Sequence, residues 1–323
     1  MKAVFITGAL GCIGAWVVKQ VLERGDEPYV FDLGGDPRRI RDLVGEAGLA
    51  RVRFLAGDVT DLEAVKRALG TSGARQLIHL AGLQVPFCRA DPALGARVNV
   101  LGTIHLFEAA LAVGLERVVY ASSAAVLGPS EDDERALDEH ARCEPVTHYG
   151  VYKQANEGTA RIYWLEKQLS SVGLRPLTVY GVGRDQGLTS GPTSALKAAV
   201  LGRPFHIGFS GPTDFHYVAD TAAAFLTCAE HAPKGAHVFN LHGETRDVTE
   251  FIATLEHACP TARGQITSGG PRIPIPPRLD GTALHARIPG LPNTSLAAGV
   301  DETLARFRAL HSAAALDTRD LPR

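Results

Sequence analysis

A tyrosine and a lysine four positions apart, Tyr149 and Lys153, could act together in proton transfer, and Ser123 lies 26 residues before the tyrosine. Side chains at positions i and i+4 of a helix share one face. A free tyrosine, with a pKa of about 10, is a poor base at neutral pH. A lysine charge about 6 Å away favours the phenolate by roughly 3 kcal/mol at an effective dielectric constant of about 20. The pair therefore predicts that Tyr149 transfers a proton while Ser123 hydrogen-bonds a substrate oxygen.

A second pair with the same spacing, Tyr163 and Lys167, falls in the same helical stretch. Tyr163 lies about 21 Å beyond Tyr149 along a helix that rises 1.5 Å per residue. Ligands of open α/β sheets bind at the carboxyl ends of the strands, where this helix should begin. We therefore expect Tyr163 to pack away from the site and Tyr149 to be the reactive side chain.

Three glycines follow the first apolar run at three-residue spacing, in the segment Thr7-Gly8-Ala9-Leu10-Gly11-Cys12-Ile13-Gly14. Gly8 permits a tight turn off a strand, Gly11 lets a pyrophosphate approach the backbone, and Gly14 lets the helix pack closely on the sheet. The free N–H groups at the helix start then hold the phosphates. This placement between a strand and a helix predicts a dinucleotide site.

Asp32 ends the second apolar run, 24 residues after Gly8. A carboxylate there accepts hydrogen bonds from the adenosine ribose and repels a ribose phosphate, which favours NAD over NADP. The alternative is that Asp32 caps a turn before Gly34-Gly35. Arg38 and Arg39 leave NADP as an alternative cofactor, because either guanidinium could turn towards its ribose phosphate.

The elements that must position these residues alternate regularly along the first half of the chain. Short apolar runs separated by amphipathic helices indicate a parallel sheet covered on both faces, with right-handed crossovers. The predicted fold class is α/β, a Rossmann-type doubly wound parallel sheet with a smaller C-terminal substrate-binding α/β region. The predicted strands are Ala3–Thr7, Tyr29–Phe31, Val52–Leu55, Leu77–Leu80, Val118–Ala121 and about Leu174–Tyr180, with long helices near 91–113 and 148–168.

The second half has a different composition and predicts a divided domain organisation. Residues 1–181 should form the dinucleotide-binding domain, and 214–243 should return to it. Residues 182–213 and 244–311 should form the substrate-binding region. Four prolines in Gly269–Pro277 exclude a helix or a central strand there. Residues 312–323 have no visible way to pack and should be a disordered tail.

Composition excludes several functional classes. The chain has 323 residues with 33 Lys+Arg against 35 Asp+Glu, so its formal net charge of −2 gives no general attraction to nucleic acid or membranes. No apolar run approaches the ~20 residues that span a bilayer, and no signal peptide is recognisable. Five widely spaced cysteines and the spacing of the histidines predict neither a disulfide framework nor a metal site. We expect a cytoplasmic protein with a small-molecule substrate.

With these motifs in place, the chain resembles the extended short-chain dehydrogenase/reductases, the NAD-dependent epimerase/dehydratase family, over about residues 1–311. The likeness also includes Asn99 in Asn-Val-Leu-Gly-Thr, the run from Leu174 to Gly181, and Asp214 to Asp220. The resemblance implies that Tyr149 is the acid/base, that Lys153 binds the nicotinamide ribose, and that Ser123 orients the substrate. Asn99 would support the active-site helix. Members are often homodimers, here through the helices near 91–113 and 148–168.

The motifs and the resemblance together give a cofactor-binding set. A carboxylate at Asp58 can accept a hydrogen bond near the adenine, and small residues at the end of the fourth strand let the cofactor lie against the backbone. The set is Gly8, Gly11, Cys12, Ile13, Gly14, Asp32, Asp58, Val59, Leu80, Ala81, Gly82, Ala121, Tyr149, Lys153 and Pro176.

Departures from the family pattern bear on the substrate. Sugar-nucleotide dehydratases of the family carry an Asp-Glu pair where this chain has Ala124 and Ala125, so water elimination lacks its acid and base. Many sugar-nucleotide enzymes have an Asn at the position of Thr178 and an Arg at the position of Thr213. Both residues contact a diphosphate in those enzymes, so the two threonines favour a substrate without a nucleotide.

Substrate contacts should come from three loops. Arg184 is the best candidate for binding an anion, because a guanidinium can donate two hydrogen bonds to one carboxylate. The alternative is a salt bridge to Asp185 or surface exposure. The predicted substrate-binding set is Gln84, Ser123, Ala124, Tyr149, Thr178, Arg184 and Ser190.

Three functions remain open. The first is an NAD-dependent oxidoreductase that removes hydride from a secondary alcohol of a sugar, sugar acid or similar polyol, with Tyr149 as base. The second is an NAD-dependent (nucleotide-)sugar 4-epimerase, which would keep its NAD bound and need none added. The third is a catalytically silent dinucleotide-binding sensor, against which the Ser123, Tyr149 and Lys153 set argues.

Overall fold

A seven-stranded parallel sheet forms the centre of the molecule in the computed structural model, which describes residues 1–130 and 132–322. Its strand order is β10-β6-β5-β4-β1-β2-β3, so the chain winds outwards from β1 in both directions. This arrangement confirms the predicted doubly wound α/β fold. The strands are β1 Ala3–Thr7, β2 Glu27–Asp32, β3 Arg53–Ala56, β4 Gln76–His79, β5 Arg117–Ala121, β6 Ser170–Arg175, β7 Thr178–Tyr180, β8 Phe205–Ile207, β9 Pro212–Tyr217, β10 Ala236–Asn240, β11 Glu244–Asp247 and β12 Ile266–Ser268.

Helices cover both faces of this sheet. Along β1, Val4 and Ile6 pack into one apolar cluster while Phe5 packs into another, as alternating side chains of a two-sided sheet must. Of the helices in the described residues, none is long and apolar enough to cross a bilayer. The helices are α1 Cys12–Glu23, α2 Arg38–Leu49, α3 Leu62–Ser72, α4 Val85–Ala90, α5 Pro92–Ala96, α6 Gly102–Ala112, α7 His148–Lys167, α8 Gly191–Val200, α9 Val218–His231, α10 Val248–Ala258, α11 Thr282–Arg287 and α12 Leu296–Ser312.

The predicted sixth strand, about Leu174–Tyr180, is wrong as a single element. The structure divides it at Pro176, which has no N–H for a strand ladder. The part before the proline belongs to β6 of the large sheet, whereas β7 pairs with β9 in a separate three-stranded sheet. The chain therefore leaves the large sheet at Pro176.

The long helix predicted near 91–113 is built from three consecutive segments. A π-helical turn, Arg97–Leu101, joins α5 to α6 and contains Asn99. Such wide turns inside α-helices are frequent at functional sites. The second predicted long helix, near 148–168, is α7.

Beyond β7, small sheets and helices gather at one side of the large sheet. The strands β7, β9 and β11 form the three-stranded sheet, and β8 pairs with β12. The strand β10 returns to the large sheet next to β6. The proline-rich segment Gly269–Pro277 forms no helix or extended strand, as predicted. The division into a dinucleotide-binding domain and a substrate-binding region remains a prediction.

The predicted disorder of residues 312–323 does not hold for most of this segment: Ser312 ends α12, and residues 316–321 pack against the rest of the molecule, whereas Arg323 lies outside the described residues. Asp317 forms an ion pair with Arg38 at the start of α2. Asp320 forms a 2.6 Å ion pair with Lys197, and the two side chains are 11% and 5% exposed. Leu321 is buried in the main apolar cluster. These are side-chain pairings across the fold, which local composition does not reveal.

Asp320→Ala is expected to destabilise the protein by about 3 kcal/mol, because it leaves the buried Lys197 charge without a partner. Urea unfolding measures the difference. Lys66→Ala, which breaks the more exposed pair between Lys66 and Glu63, should cost less than about 1 kcal/mol. Equal small effects of the two substitutions would show that the tail does not pack in solution.

Candidate active site

A cavity of about 550 Å³ opens at the carboxyl ends of the central strands. All fifteen predicted cofactor-binding residues line it: Gly8, Gly11, Cys12, Ile13, Gly14, Asp32, Asp58, Val59, Leu80, Ala81, Gly82, Ala121, Tyr149, Lys153 and Pro176. The topology explains this convergence, because parallel strands end at one edge of the sheet and the first connection turns directly into α1. One continuous cavity thus contains the glycine-rich turn and the candidate catalytic residues.

The glycine-rich turn brings bare backbone to the cavity wall. Gly8 has a positive φ of 67°, and a Cβ there would lie 2.4 Å from the Ala81 nitrogen. A Cβ on Gly14 would lie 2.5 Å from Ala9 Cα, which would push α1 off the sheet. Gly11 precedes α1 and provides no side-chain cap, so within the described part of the chain the N–H groups of the first helical turn remain available to a ligand. These features fit the pyrophosphate of a dinucleotide.

Asp32 lines the cavity and also makes local backbone contacts. Its carboxylate accepts hydrogen bonds from the backbone N–H of Leu10 at 3.1 Å and of Leu33 at 2.9 Å. Burial raises the pKa of Asp32, and these two hydrogen bonds oppose that shift. The carboxylate therefore combines the capping role of the alternative interpretation with a position that fits the ribose of NAD.

The helix α7 begins so that Tyr149 and Lys153 face the end of β5. The Thr147 hydroxyl caps the helix by accepting a hydrogen bond from the Gly150 N–H at 3.1 Å. Lys153 Nζ donates a 2.7 Å hydrogen bond to the Ala121 carbonyl and lies 5.5 Å from the centre of the Tyr149 ring. Ser123, Tyr149 and Lys153 all line the cavity. The spacing read from the sequence therefore brings the three side chains together.

Burial dominates the electrostatics of these groups. It raises the pKa of Tyr149, and the hydrogen bond with Ser123 and the charge of Arg184 only partly oppose this shift. It lowers the pKa of Lys153 to about 8. The charge of Lys153 therefore does not by itself bring the pKa of Tyr149 into working range, because charging a buried group costs free energy.

Asn99 lies behind the cavity wall and is fully buried. Its side chain accepts from the Leu83 N–H at 2.8 Å and donates to the Leu83 carbonyl at 3.0 Å. The Asn99 carbonyl, in the π-helical turn, accepts from Asn156 of α7 at 2.8 Å. Asn99 thus positions the loop after β4 and the helix α7 rather than facing the cavity.

A buried ion pair that the sequence did not single out ties α7 to the sheet. Arg175, at the end of β6, donates from Nε and Nη2 to Glu157 of α7, at 2.8 and 2.7 Å. Glu157 also accepts a hydrogen bond from Ser122, next to Ser123. Only the i+4 spacing of Glu157 from Lys153 could have indicated that it shares the catalytic face.

Tyr163 packs away from the cavity, as predicted. Its ring stacks on Phe107 with the ring centres 4.8 Å apart, and its hydroxyl donates to Glu108. Tyr163 therefore offers a matched control for Tyr149 on the same helix.

Four of the seven predicted substrate residues line the cavity, namely Gln84, Ser123, Tyr149 and Arg184. The other three do not. Ala124 is fully buried behind Ser123. Thr178 is buried and shares a 2.7 Å hydrogen bond with Thr213. Ser190 donates to the Gly187 carbonyl within its own loop.

Asp185 pairs with Arg38 and Arg39 and not with Arg184, so the predicted salt bridge is wrong, and the Arg184 side chain is half-buried. The Arg184 Nη2 atom donates to the Thr189 hydroxyl at 3.1 Å, while its Nε is buried and has no partner among the described residues. The Gln84 Oε1 atom is also buried and unpartnered. Both side chains approach Gly187, where a Cβ would lie 1.9 Å from Gln84 Oε1 and 3.3 Å from Arg184 Nη2. The cavity thus offers one cationic donor and one amide acceptor side by side.

Apolar side chains that sequence reasoning missed surround these two groups. They come from the loops after β6 and β7 and from the proline-rich segment, and they are Leu177, Leu188, Ile273 and Ile275. The alternation of isoleucine and proline in residues 273–276 indicates an extended apolar segment that covers another surface of the protein. Which surface it would cover depends on long-range packing.

The model of the NAD-dependent epimerase/dehydratase family matches residues 4–241. The chain belongs to this family. A UDP-glucose 4-epimerase of Azospirillum brasilense is 29% identical over 273 residues, which cover 78% of this chain and 76% of that protein. A UDP-glucose 4-epimerase of Mycolicibacterium smegmatis is 27% identical over 311 residues, covering 94% and 97%.

A solved structure shows the same likeness. The UDP-glucose 4-epimerase of Thermus thermophilus, in complex with NAD, superposes with a TM-score of 0.81 at 27% identity, covering 95% of this chain and 99% of that chain. The protein is therefore an NAD-dependent enzyme of the short-chain dehydrogenase/reductase superfamily, and the interpretation as a silent sensor is set aside. The bare glycine turn and the Asp32 carboxylate fit this cofactor.

Lys153→Met is expected to stabilise the protein by about 2 kcal/mol at pH 7, where it removes a buried charge but also loses a hydrogen bond. The pKa of Lys153 falls from 10.5 in the unfolded chain to about 8 in the folded protein. The unfolded chain thus binds more protons between these pH values, and the cost of burying the charge fades as the pH rises. The variant's advantage should disappear near pH 10.5.

Urea unfolding of both proteins at pH 7 and pH 10 measures this difference. A Lys153→Met variant that is no more stable than the wild type at pH 7 contradicts a depressed pKa at this position.

Proposed function

We propose that the enzyme is an epimerase that inverts a secondary alcohol carbon of a sugar by transient oxidation. The observation that carries the proposal is the joining of Ser123, Tyr149 and Lys153 to the glycine-rich turn in one cavity. The likeness to UDP-glucose 4-epimerases over nearly the whole length of both chains supports it. NAD held in this cavity would supply the hydride acceptor for the oxidation and the hydride donor for the reduction, which would invert the carbon.

Tyr149 would take the hydroxyl proton as the carbon is oxidised and give it back as the carbon is reduced. Ser123 would hydrogen-bond the same oxygen and keep it next to the phenol. Lys153, held by the Ala121 carbonyl 2.7 Å away, places a cation near the ring and favours the phenolate. Because burial raises the pKa of Tyr149, the positive charge of the oxidised cofactor would be needed to bring it into working range.

The cofactor would be held along the lining residues. The first turn of α1 would take the pyrophosphate, Asp32 the adenosine ribose and Lys153 the second ribose. A Cβ on Gly82 would lie 2.7 Å from Asn99 Oδ1 and 3.5 Å from Lys153 Nζ, so the backbone there must stay bare. These roles of the lining residues follow from the cavity's shape and chemistry together with the resemblance.

The remaining polar groups suit a sugar that carries an anionic group. Arg184, with its unpartnered Nε, would bind a carboxylate or phosphate, and Gln84 Oε1 would accept a hydrogen bond from a hydroxyl. Ala125 lines the cavity where elimination would need a carboxyl group. The site therefore supports oxidation and reduction but not loss of water.

The direct test is to purify the protein, identify any bound dinucleotide by mass, and add substrates without cofactor. UDP-glucose and UDP-glucuronic acid probe nucleotide sugars, and aldonic acids probe sugars without a nucleotide. Conversion of one substrate to its epimer with about one retained NAD per chain supports the proposal. A reaction that occurs only with added NAD, and that releases one NADH per turnover, contradicts it.

A dehydrogenase for a small sugar acid is the second candidate, and one contact favours it. Thr178 and Thr213 hydrogen-bond each other and are buried, at the two positions where the resemblance places diphosphate contacts in nucleotide-sugar enzymes. A substrate without a nucleotide would need neither contact. Stoichiometric NADH formation with an aldonic acid would establish this second function instead.

Tyr149→Phe is expected to lower kcat by about 10²- to 10⁴-fold, because it removes the group that transfers the proton. Tyr163→Phe, on the same helix but outside the cavity, should change kcat less than twofold. Steady-state rates with the accepted substrate measure both. A Tyr149→Phe enzyme with near wild-type activity would contradict the proposed mechanism.

We also propose that the enzyme is a homodimer. Val151, Ile162 and Leu165 of α7 are exposed on one face, and Leu101 is exposed in the adjoining π-helical turn. An apolar patch on two neighbouring long helices is typical of a subunit interface. The cytoplasmic location remains a prediction.

Ile162→Glu is expected to convert the dimer into monomers, because it places a charge at the centre of the apolar patch. Light scattering coupled to size-exclusion chromatography measures the mass. Phe54→Glu, at an exposed apolar residue of β3, should leave the dimer intact. A wild-type protein that is monomeric at micromolar concentration would contradict the proposal.

A further inference from the structure

One carboxylate from the loop after β7 engages both arginines at the start of α2. Asp185 accepts hydrogen bonds from Arg39 Nε and Nη2, at 3.2 and 2.5 Å, and from Arg38 Nη2 at 2.7 Å. The Asp185 side chain is only 9% exposed. Although its burial acts in the opposite direction, the two arginines hold the pKa of Asp185 below its usual range. The carboxylate is therefore charged at neutral pH.

Arg39 lies where a ribose phosphate would be recognised. It lines the cofactor cavity together with Asp32 and Leu10. In dinucleotide folds, a carboxylate at the end of the second strand selects NAD, while a nearby arginine accommodates the 2′-phosphate of NADP. This chain has both the carboxylate and the arginine. Its preference between NAD and NADP therefore depends on whether Arg39 is free to bind a 2′-phosphate.

Each side-chain nitrogen of the two arginines already contacts an oxygen atom. Arg39 Nη1 donates to the Leu10 carbonyl at 2.7 Å, and its other two nitrogens donate to Asp185. Arg38 contacts Asp42 at 3.3 Å and Asp317 of the C-terminal tail at 3.1 Å, besides Asp185. Arg319 also pairs with Asp317, so these three carboxylates are matched by three guanidinium groups, and Asp32 adds a fourth carboxylate nearby. A 2′-phosphate would have to compete with Asp185 for Arg38 and Arg39 and would be repelled by Asp32.

We propose that Asp185 determines cofactor specificity by occupying Arg38 and Arg39, so that the enzyme rejects NADP. The residue lies 153 positions after Asp32, in a segment predicted to bind substrate. Gly183, with a φ of 94°, brings this segment against Arg39, whose Cδ atom would lie 3.4 Å from a Cβ at that position. Two residues thus act against NADP: Asp32 repels the 2′-phosphate, and Asp185 keeps Arg38 and Arg39 paired so that they cannot bind it.

The test measures binding and needs no substrate. Each protein is stripped of dinucleotide, incubated with equal concentrations of NAD and NADP, and separated from free ligand, and the bound dinucleotides are counted by mass spectrometry. The variants are Asp32→Ala, Asp32→Ala with Asp185→Asn, and that double variant with Arg39→Leu. Thermal unfolding verifies that each is folded.

Asp32→Ala alone should raise the bound NADP-to-NAD ratio by less than tenfold, because the arginines stay paired. Adding Asp185→Asn should raise it at least tenfold further, and adding Arg39→Leu should abolish that gain. Asp317→Asn in the Asp32→Ala background is the matched control: it weakens one contact of Arg38 and those of Arg319 but leaves Arg39 paired with Asp185, so it should add nothing. An unchanged ratio on adding Asp185→Asn, a gain that survives Arg39→Leu, or a double variant that binds neither dinucleotide overturns the proposal. None of these outcomes depends on whether the enzyme epimerises.

Discussion

The buried ion pair between Glu157 and Arg175 fixes the geometry on which the candidate site depends. Their side chains are 11% and 3% exposed, and such a pair is costly to break from one side. It fastens α7 to the carboxyl end of β6, and Ser122 joins the same carboxylate to the end of β5. The strand end that carries Ser123 and the helix that carries Tyr149 and Lys153 are thereby held in one frame.

The predictions that the structure confirms rest on local relations between neighbouring residues. Gly8, Gly11 and Gly14 must follow a strand and open a helix, and the i+4 spacing of Tyr149 and Lys153 follows from helix geometry. Contacts between distant segments were not predictable in this way. The pairing of Asp320 with Lys197, and the turning of Ile273 and Ile275 into the cavity, arise only when the C-terminal elements pack. Thr178 was misplaced because the break at Pro176 moves it into another sheet.

The part of the cavity near the sheet has a polar lining, and the outer part has a largely apolar lining. Near the sheet it presents bare backbone, the Asp32 carboxylate and the buried lysine, which suit a dinucleotide. Farther out it presents Arg184 and Gln84 among apolar side chains. Among the described residues, that second part offers the cation of Arg184, and the neutral Thr178–Thr213 contact stands in place of the asparagine and arginine that the resemblance assigns to a diphosphate. The residues proposed to act at the reacting carbon thus fit the family pattern. The residues proposed to bind the rest of the substrate depart from it.

The central claim is that hydride leaves and returns within one active site, with Tyr149 handling the proton. Isotope tracing tests it most directly: a substrate deuterated at the carbon that bears the reacting hydroxyl is mixed with unlabelled substrate and unlabelled free NAD and NADH. The account predicts that the epimer from the labelled substrate keeps its deuterium and that none appears in free NADH. Deuterium in the free cofactor pool, or its loss from the product, would contradict the account.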